Sequence, residues 1–494
     1  MLLYCAAGAV VLLTGALVIL ATWRSQALDD AYITYTFARN LADGLGFVWY
    51  EGGERVLGST TLTYTALLAL VSLLGASIPQ ASIAAAAIFW AVSLLLVYYL
   101  TRKALGYAGG FLALVLGVAS VTVISSQSLG METALYAFMV LATFVLYARG
   151  WVRLALVAGA FAVLTRVDGG LAPLMVLVHY YLSEKPEPKR LIREVWPSAA
   201  ILAVSVAALT LYFGSPIPQT VIAKRAFSES VSGSFDPTGY VTLLAQPAGW
   251  EVEPFVVIFV LVAAAGVIRA AISWRWRSSL VVLYGPAYIG AFTLAGATTQ
   301  AWYYMPGLLA LFAAFAWGAL WPLRLPAGEG RLRYLAVALA VVVWAIIVAG
   351  QSVFTYVNFE QRPFGQSTSP ALAQLPDSVA ADMQEDNLAE AHVVGYEMGR
   401  PGFFLPTQGS PGAKVHDVLG LVSPEMTAGG GLREPMHLVR KYEPEYILIK
   451  DNPAYAPTRP ILTSDALRSR YEVMEAIPLG PGSSVNYVAY ERTS

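Results

Sequence analysis

Long unbroken apolar runs fill the first 350 positions of the chain, and their lengths are those of membrane helices. A helix rises about 1.5 Å per residue and a bilayer core is about 30 Å thick, so a spanning helix needs roughly 20 mostly apolar residues. Twelve segments approach that length, near 2–21, 60–77, 82–100, 107–124, 132–149, 153–165, 169–182, 196–213, 253–272, 279–296, 302–321 and 333–353. Ser25-Gln26-Ala27 follows the first, but no Lys or Arg precedes Arg24 to make the basic start of a secretory signal, so a retained span is expected. From about residue 355 polar residues, Pro and Gly take over. Short apolar runs over 391–396, 415–422 and 446–449 predict buried strands, and 435–442 predicts a helix leading into the third. The expected architecture is an α-helical polytopic membrane domain, 1–354, followed by a small soluble α/β domain, 355–494.

Composition agrees with that division. Of 494 residues, 57% are hydrophobic and 13% charged, whereas a soluble domain carries roughly a quarter charged residues. An ordinary cytoplasmic enzyme is excluded. Lys and Arg number 31 against 32 Asp and Glu, which leaves no basic footprint for nucleic acid. The single cysteine, Cys5, excludes a disulfide framework and a Cys-based zinc site. His392, His416 and His437 are three of four histidines, and their spacing matches no metal signature.

Charge also sets the expected orientation. The loops around Arg102, Arg149, Lys185 to Arg193, Arg269 to Arg277 and Arg324 to Arg333 carry fourteen Lys and Arg, and the other inter-helix stretches carry six. Cytoplasmic loops are the basic ones. The stretches 22–59, 125–131, 166–168, 214–252 and 297–301 and the soluble domain are then outside, with the N-terminus inside. Two apolar segments lie between the outer stretch 22–59 and the inner loop at Arg102, where parity allows one crossing. The more polar 60–77 is expected not to cross, which gives about eleven transmembrane helices.

The outer stretch 22–59 carries the densest chemistry. From Asp29 to Ala42 the residues Ile33, Phe37 and Leu41 recur every four positions, with Tyr32 and Tyr35 beside them, predicting an amphipathic helix lying on the membrane and ended by Gly44 and Gly46. Asp29 and Asp30 stand at its start, and the plain reading of them is a helix cap and a first-turn charge. Other ionisable groups share the expected outer face: Glu132 at a helix end, Arg166 beside Asp168, and Lys224 with Arg225. Charges at membrane depth are costly and usually pair or line a wet cavity. Carboxylates from separate loops can bind a divalent cation or act as a general base, and Arg and Lys can grip phosphate. Taken one at a time, each is also explained by a membrane-edge ion pair.

The motifs Asp29-Asp30-Ala31-Tyr32-Ile33, Ala38-Arg39-Asn40-Leu41-Ala42-Asp43-Gly44-Leu45-Gly46, Gly130-Met131-Glu132-Thr133, Thr165-Arg166 followed by an acid, and Ile217-Pro218-Gln219-Thr220 ending in Ala223-Lys224 occur in this order. In them the chain resembles the polyprenyl-phosphate-sugar glycosyltransferases of the GT-C fold, and within these the mycobacterial enzymes that add terminal arabinofuranose to cell-wall arabinan. The resemblance implies a multi-pass enzyme of the plasma membrane. It implies inverting transfer of a sugar, metal-assisted or base-assisted, from a lipid-linked sugar phosphate to a cell-envelope glycan on the outer face. Asp29 or Asp30 would be catalytic base or metal ligand, and Glu132 the acid of the second outside loop. A divalent cation, Mg, Mn or Ca, would join Asp29, Asp30 and Glu132. Similar outer domains in the family imply that 355–494 holds the acceptor glycan. Three motifs depart from the family pattern: Pro218-Gln219-Thr220 stands for Pro-Asn-Thr, Trp302-Tyr303-Tyr304 lacks the Arg that often precedes the tyrosines, and Thr165-Arg166-Val167-Asp168-Gly169 replaces Arg-Pro-Glu-Gly.

The chemistry of lipid-phosphate transfer assigns the remaining roles. Arg166, Lys224 and Arg225 are expected at the donor phosphate and Tyr32, Arg39, Asp168 and Gln219 along the substrates, while Trp302, Tyr303 and Tyr304 either stack on sugar or prenyl or belong to a membrane-interface aromatic belt. Membrane lipid is the other partner, and nucleic acid is not one. The alternative function is a transporter or flippase of lipid-linked sugars, which usually shows internal repeats and charges at the bilayer midplane. The sequence shows no repeat, and its acids gather at outer helix ends. A non-catalytic scaffold would need none of these acids.

Overall fold

The computed structural model describes residues 27–126, 129–231, 236–240, 253–296, 300–320, 370–429, 431–480 and 483–493. The expected spans 2–21 and 333–353 and the basic loop from Arg324 to Arg333 lie outside the described residues.

The chain forms two compact units, and they cut across the linear division at residue 354. One joins 83–204 with 234–364 and the N-terminal 25 residues; the other joins 26–82 and 205–233 with 365–494. The first is helical. Among the described residues, Ile78–Leu105 and Pro188–Phe213 are long and apolar enough to cross a membrane. Shorter helices accompany them, among them Tyr107–Ser126, Thr133–Ala148, Val152–Thr165, Leu171–Glu184, Glu253–Ile272, Leu280–Leu294 and Met305–Ala319. The segment 60–77 gives the helix Leu62–Leu73, whose 12 residues span about 18 Å, less than a bilayer core.

Large side chains fill the first unit's core, among them Trp90, Tyr136, Phe144, Tyr147, Tyr284, Phe312 and Trp317. Two helices pack almost backbone to backbone. A Cβ at Gly266 would lie 1.8 Å from the Ala314 carbonyl oxygen, and one at Gly318 1.8 Å from that of Val262. Small residues at the crossing allow this approach, as membrane helices without a hydrophobic driving force require. Arg269 Nη1 also donates to the Trp317 carbonyl across it at 3.1 Å.

The second unit is built on a five-stranded sheet of β1 (Glu390–Gly395), β2 (Gly412–Asp417), β3 (Tyr446–Lys450), β4 (Tyr471–Pro478) and β5 (Asn486–Arg492), ordered β2-β1-β3-β5-β4. β1 runs parallel to β2 and β3, and β5 antiparallel to β3 and β4. The three predicted strands are β1 to β3, and the predicted helix is Met436–Tyr442. β2 ends earlier than its apolar run because the Asp417 carboxylate draws the chain into a turn, accepting the N–H groups of Leu419 at 2.8 Å and Val422 at 3.4 Å.

The helix Asp29–Ala42 forms where the sequence places it, and Gly44 and Gly46 follow at φ of 79° and 87°. Its surroundings correct the sequence reading. Instead of lying on a membrane, Ile33 and Phe37 are buried in the core of the sheet's own unit, with Trp49, Leu57, Val393, Val415, Leu448 and Tyr487. Trp49 Nε1 ties the following segment to that core by donating to the Val415 carbonyl at 2.9 Å. Leu41 alone of the three repeating positions stays exposed.

Candidate active site

In the second unit Asp29 is not a helix cap; Leu28 holds that position. The Asp29 carboxylate reaches out of its helix and accepts the N–H of Gly399 on Oδ2 at 2.9 Å and of Arg400 on Oδ1 at 2.8 Å. Only glycine fits at 399, because a Cβ there would sit 1.8 Å from the Asp29 carbonyl oxygen. Arg400 turns its guanidinium back onto the same helix. Nη1 donates to Tyr32 Oη at 3.2 Å, and the cation lies 5.3 Å from the Tyr32 ring and 4.6 Å from that of Phe404. Arg39 ties the two segments again two turns on, donating to the Phe403 carbonyl and packing over the Phe403 ring. Asp29, predicted as base or metal ligand, and Tyr32 and Arg39, predicted at the substrates, thus also bind Asp29–Ala42 to the segment Gly399–Phe404.

Acidic groups crowd this corner. Burial first, then the Glu397 charge, pushes the Asp29 carboxyl above its ordinary value, against the two N–H groups that favour its ionised form. Asp30 is half-buried, and its charge also raises Asp417, whose carboxyl burial pushes up to about 7. Lys450 pairs with Glu397 at 2.6 Å and lies over the Tyr396 ring. Glu397, Arg400 and Lys450 escaped the sequence reading. The signal for them was the run Gly395-Tyr396-Glu397-Met398-Gly399-Arg400, a strand end with two glycines around an acid.

These shifts carry a pH dependence. Asp29 and Asp417 bind protons more tightly in the folded than in the unfolded chain, so their contribution is complete below the ordinary carboxylate range and is lost as pH rises through about 7. The drop in melting temperature of the detergent-solubilised protein between pH 5 and pH 8 is therefore expected to shrink in Asp29→Asn. An identical drop in the variant would mean that Asp29 is already ionised at pH 5.

The other predicted residues of this unit lie on or beside the helix Gln219–Val231. Gln219 is buried, and its Nε2 donates to the Gly420 carbonyl at 2.7 Å and to Thr427 Oγ1 at 2.8 Å. Its amide is spent inside the protein. Gln219→Ala leaves two buried acceptors unpaired, which costs about 1–3 kcal/mol, and is expected to lower the melting temperature while the donor KM stays within twofold. A donor KM raised severalfold at unchanged stability would return Gln219 to the substrate. Lys224 is half-buried and Arg225 exposed.

In the first unit three predicted residues converge. Arg166 follows the helix Val152–Thr165 in extended conformation, and Asp168 lies in the tight turn Val167–Gly170. Gly169 permits that turn, since a Cβ would lie 2.2 Å from the Ala162 carbonyl oxygen. Arg166 Nε donates to Asp168 Oδ1 at 3.0 Å, and Nη1 to Glu132 Oε1 at 3.1 Å from the start of Thr133–Ala148. The Tyr288 hydroxyl donates to Asp168 Oδ2 at 3.0 Å. The guanidinium packs over the rings of Tyr136 and Tyr303, at 5.1 and 4.8 Å. Trp302 stands edge-on to Tyr303. Tyr304 turns inward, donating to the Asp236 carbonyl at 2.6 Å.

The cluster of Arg166 with two carboxylates has a formal charge of −1. The predicted metal ligands fall in different units, Asp29 and Asp30 in the second and Glu132 in the first. Asp29 already holds one N–H on each oxygen, and Glu132 gives one oxygen to Arg166. Each of these oxygens keeps a lone pair beyond the one hydrogen bond it accepts, so in their ionised form the groups can still ligate a cation. Among the described residues, the carboxylates that approach within 4.8 Å of one another as a metal-capable group are Asp382, Asp386 and Glu491, none of them predicted.

No protein-family model matches the chain, and no curated protein matches it in sequence. Solved structures do match. ArnT from Cupriavidus metallidurans bound to undecaprenyl phosphate is 14% identical, with a TM-score of 0.58 over 98% of this chain and 97% of its own. The archaeal oligosaccharyltransferase AglB from Archaeoglobus fulgidus, in complex with an inhibitory peptide and a dolichol-phosphate, is 11% identical, with a TM-score of 0.57 over 97% of this chain and 74% of its own. The same oligosaccharyltransferase tethered with an acceptor peptide gives 12%, 0.56, 97% and 73%. The likeness gives the fold: a GT-C membrane fold with a C-terminal α/β domain, shared with transferases that bind polyprenyl phosphates.

Proposed function

We propose that the chain is an inverting glycosyltransferase of the plasma membrane that moves a sugar from a polyprenyl-phosphate donor to a cell-envelope glycan on the outer face. The observation that carries this reading is a likeness over nearly the full length of both chains to ArnT with its undecaprenyl phosphate. Arabinofuranose is the sugar that the motif resemblance favours.

In this reading the acceptor hydroxyl oxygen attacks the anomeric carbon. Its proton passes to a carboxylate, and the bond from that carbon to the phosphate oxygen breaks with its electron pair leaving on the polyprenyl phosphate. Asp30 is the base. Asp29 is a positioning residue, because its two oxygens fix the start of the helix on the Gly399 and Arg400 amides. Lys224 and Arg225 offset the phosphate charge. Arg166 is moved from the phosphate to a positioning role, because a cluster with net charge −1 repels a phosphate. It orients Glu132, which accepts a hydrogen bond from a sugar hydroxyl. A divalent cation, Mg, Mn or Ca, held by Asp30 or Glu132 would further offset the charge on the leaving phosphate.

The test is turnover by the protein in lipid nanodiscs, supplied with a panel of synthetic polyprenyl-phosphate sugars and arabinan acceptors. Transfer with inversion at the anomeric carbon is expected. Retention would exclude single displacement, and absence of transfer together with donor translocation in proteoliposomes would make the protein a transporter.

A further inference from the structure

Beyond the outer-face chemistry, the first unit holds a polar cavity of about 310 Å³ where the helix Leu171–Glu184 ends. His179, Ser183, Glu184 and Lys185 line it from that end, and Arg275 and Arg277 from the turn before Leu280–Leu294. This is the face that the Lys and Arg distribution assigns to the cytoplasm.

Two hydrogen bonds fix the His179 ring in the floor of the cavity. His179 Nε2 lies 2.6 Å from the Trp274 carbonyl, to which it must donate, so Nδ1 accepts from the Tyr147 hydroxyl, also at 2.6 Å. The charge is unbalanced. Three cations face one carboxylate, and that carboxylate, Glu184, is already shared by Arg277 and by Arg190. Lys185 and Arg275 are exposed and, among the described residues, take no ion pair. Cations that repel one another around a polar cavity are stabilised by an anion. Tyr181, Leu182, Ile272 and Trp276 are exposed on the neighbouring surface, the mixture of apolar and amphipathic side chains found at the level of lipid headgroups.

We propose that this cavity binds the phosphate of an anionic phospholipid headgroup, with Lys185 and Arg275 as its free cations and the exposed apolar side chains against the acyl chains. Basic pockets between helices on the cytoplasmic side take such headgroups, and the inner leaflet supplies them.

The experiment is native mass spectrometry of the delipidated full chain with phosphatidylglycerol, phosphatidylcholine or inorganic phosphate added separately. Both charges are exposed, so the double variant Lys185→Gln, Arg275→Gln should melt like the wild type without lipid. The wild type is expected to prefer phosphatidylglycerol over phosphatidylcholine by about ten- to thirtyfold, and the double variant to lose that preference. An undiminished preference in the variant would overturn the site. Inorganic phosphate displacing phosphatidylglycerol at millimolar concentration would overturn the lipid assignment and leave a site for a free anion.

Discussion

Asp30→Asn is expected to lower sugar transfer by about two to four orders of magnitude while the protein folds and melts as the wild type does. The size follows from removing the general base, since the amide keeps the shape but cannot take the acceptor proton. Folding should survive because Asp30 is only half-buried, whereas Asp29 carries the two backbone bonds to Gly399 and Arg400. Asp29→Asn retains an acceptor for one of those N–H groups and loses the other, so its main effect should be on stability, with a smaller loss of turnover. Rates and melting temperatures of both variants separate the roles. Should Asp29→Asn abolish turnover and Asp30→Asn preserve it, Asp29 would be the base, with its two N–H groups serving to orient it.

The helix Asp29–Ala42 and its glycine stop were readable in the sequence, because a four-residue apolar repeat ending at Gly44 has few other solutions. What the helix packs against was not. Ile33 and Phe37 present an apolar face that suits a membrane surface as well as a protein core, and the partner that settles the matter, the sheet around Val393 and Val415, lies more than 350 residues downstream. The same holds for Arg166. Its neighbour Asp168 is visible two residues away, but Glu132 is 34 residues upstream, and its bond to Arg166 turns an apparently free cation into the centre of an ion-paired group. β1 to β3 were found as short apolar runs. β4 was missed because Tyr471 is its one buried residue and Glu472 and Glu475 break up its apolar positions, and β5 because its apolar run, Tyr487-Val488-Ala489-Tyr490, is four residues long between Asn486 and Glu491.

Arg166→Ala is expected to destabilise the first unit severely, by about 3–5 kcal/mol. Arg166 and Glu132 are each 6% exposed, and the substitution leaves Glu132 and Asp168 without the cation between them. Removing one partner of a buried ion pair costs about 3–5 kcal/mol, against a total stability of roughly 5–15 kcal/mol for a typical domain. Arg166→Lys should rescue little, since one ammonium cannot reproduce a fork that bonds Asp168 through Nε and Glu132 through Nη1. Loss of expression alone would not separate support of the fold from support of the reaction. The triple variant Glu132→Gln, Arg166→Met, Asp168→Asn does separate them, because it removes all three charges while keeping similar volumes between Tyr136 and Tyr303, and neutral replacements of buried ion pairs are often tolerated. It is expected to recover most of the wild-type melting temperature. Turnover should remain at least about a hundredfold down, because a carboxylate at 132 accepts a hydrogen bond that tightens as charge develops on the sugar, and a glutamine accepts a weaker one. If turnover instead returned with the fold, Glu132, Arg166 and Asp168 would be a brace for their helices, and the reaction would depend on the groups around Asp30 and Lys224.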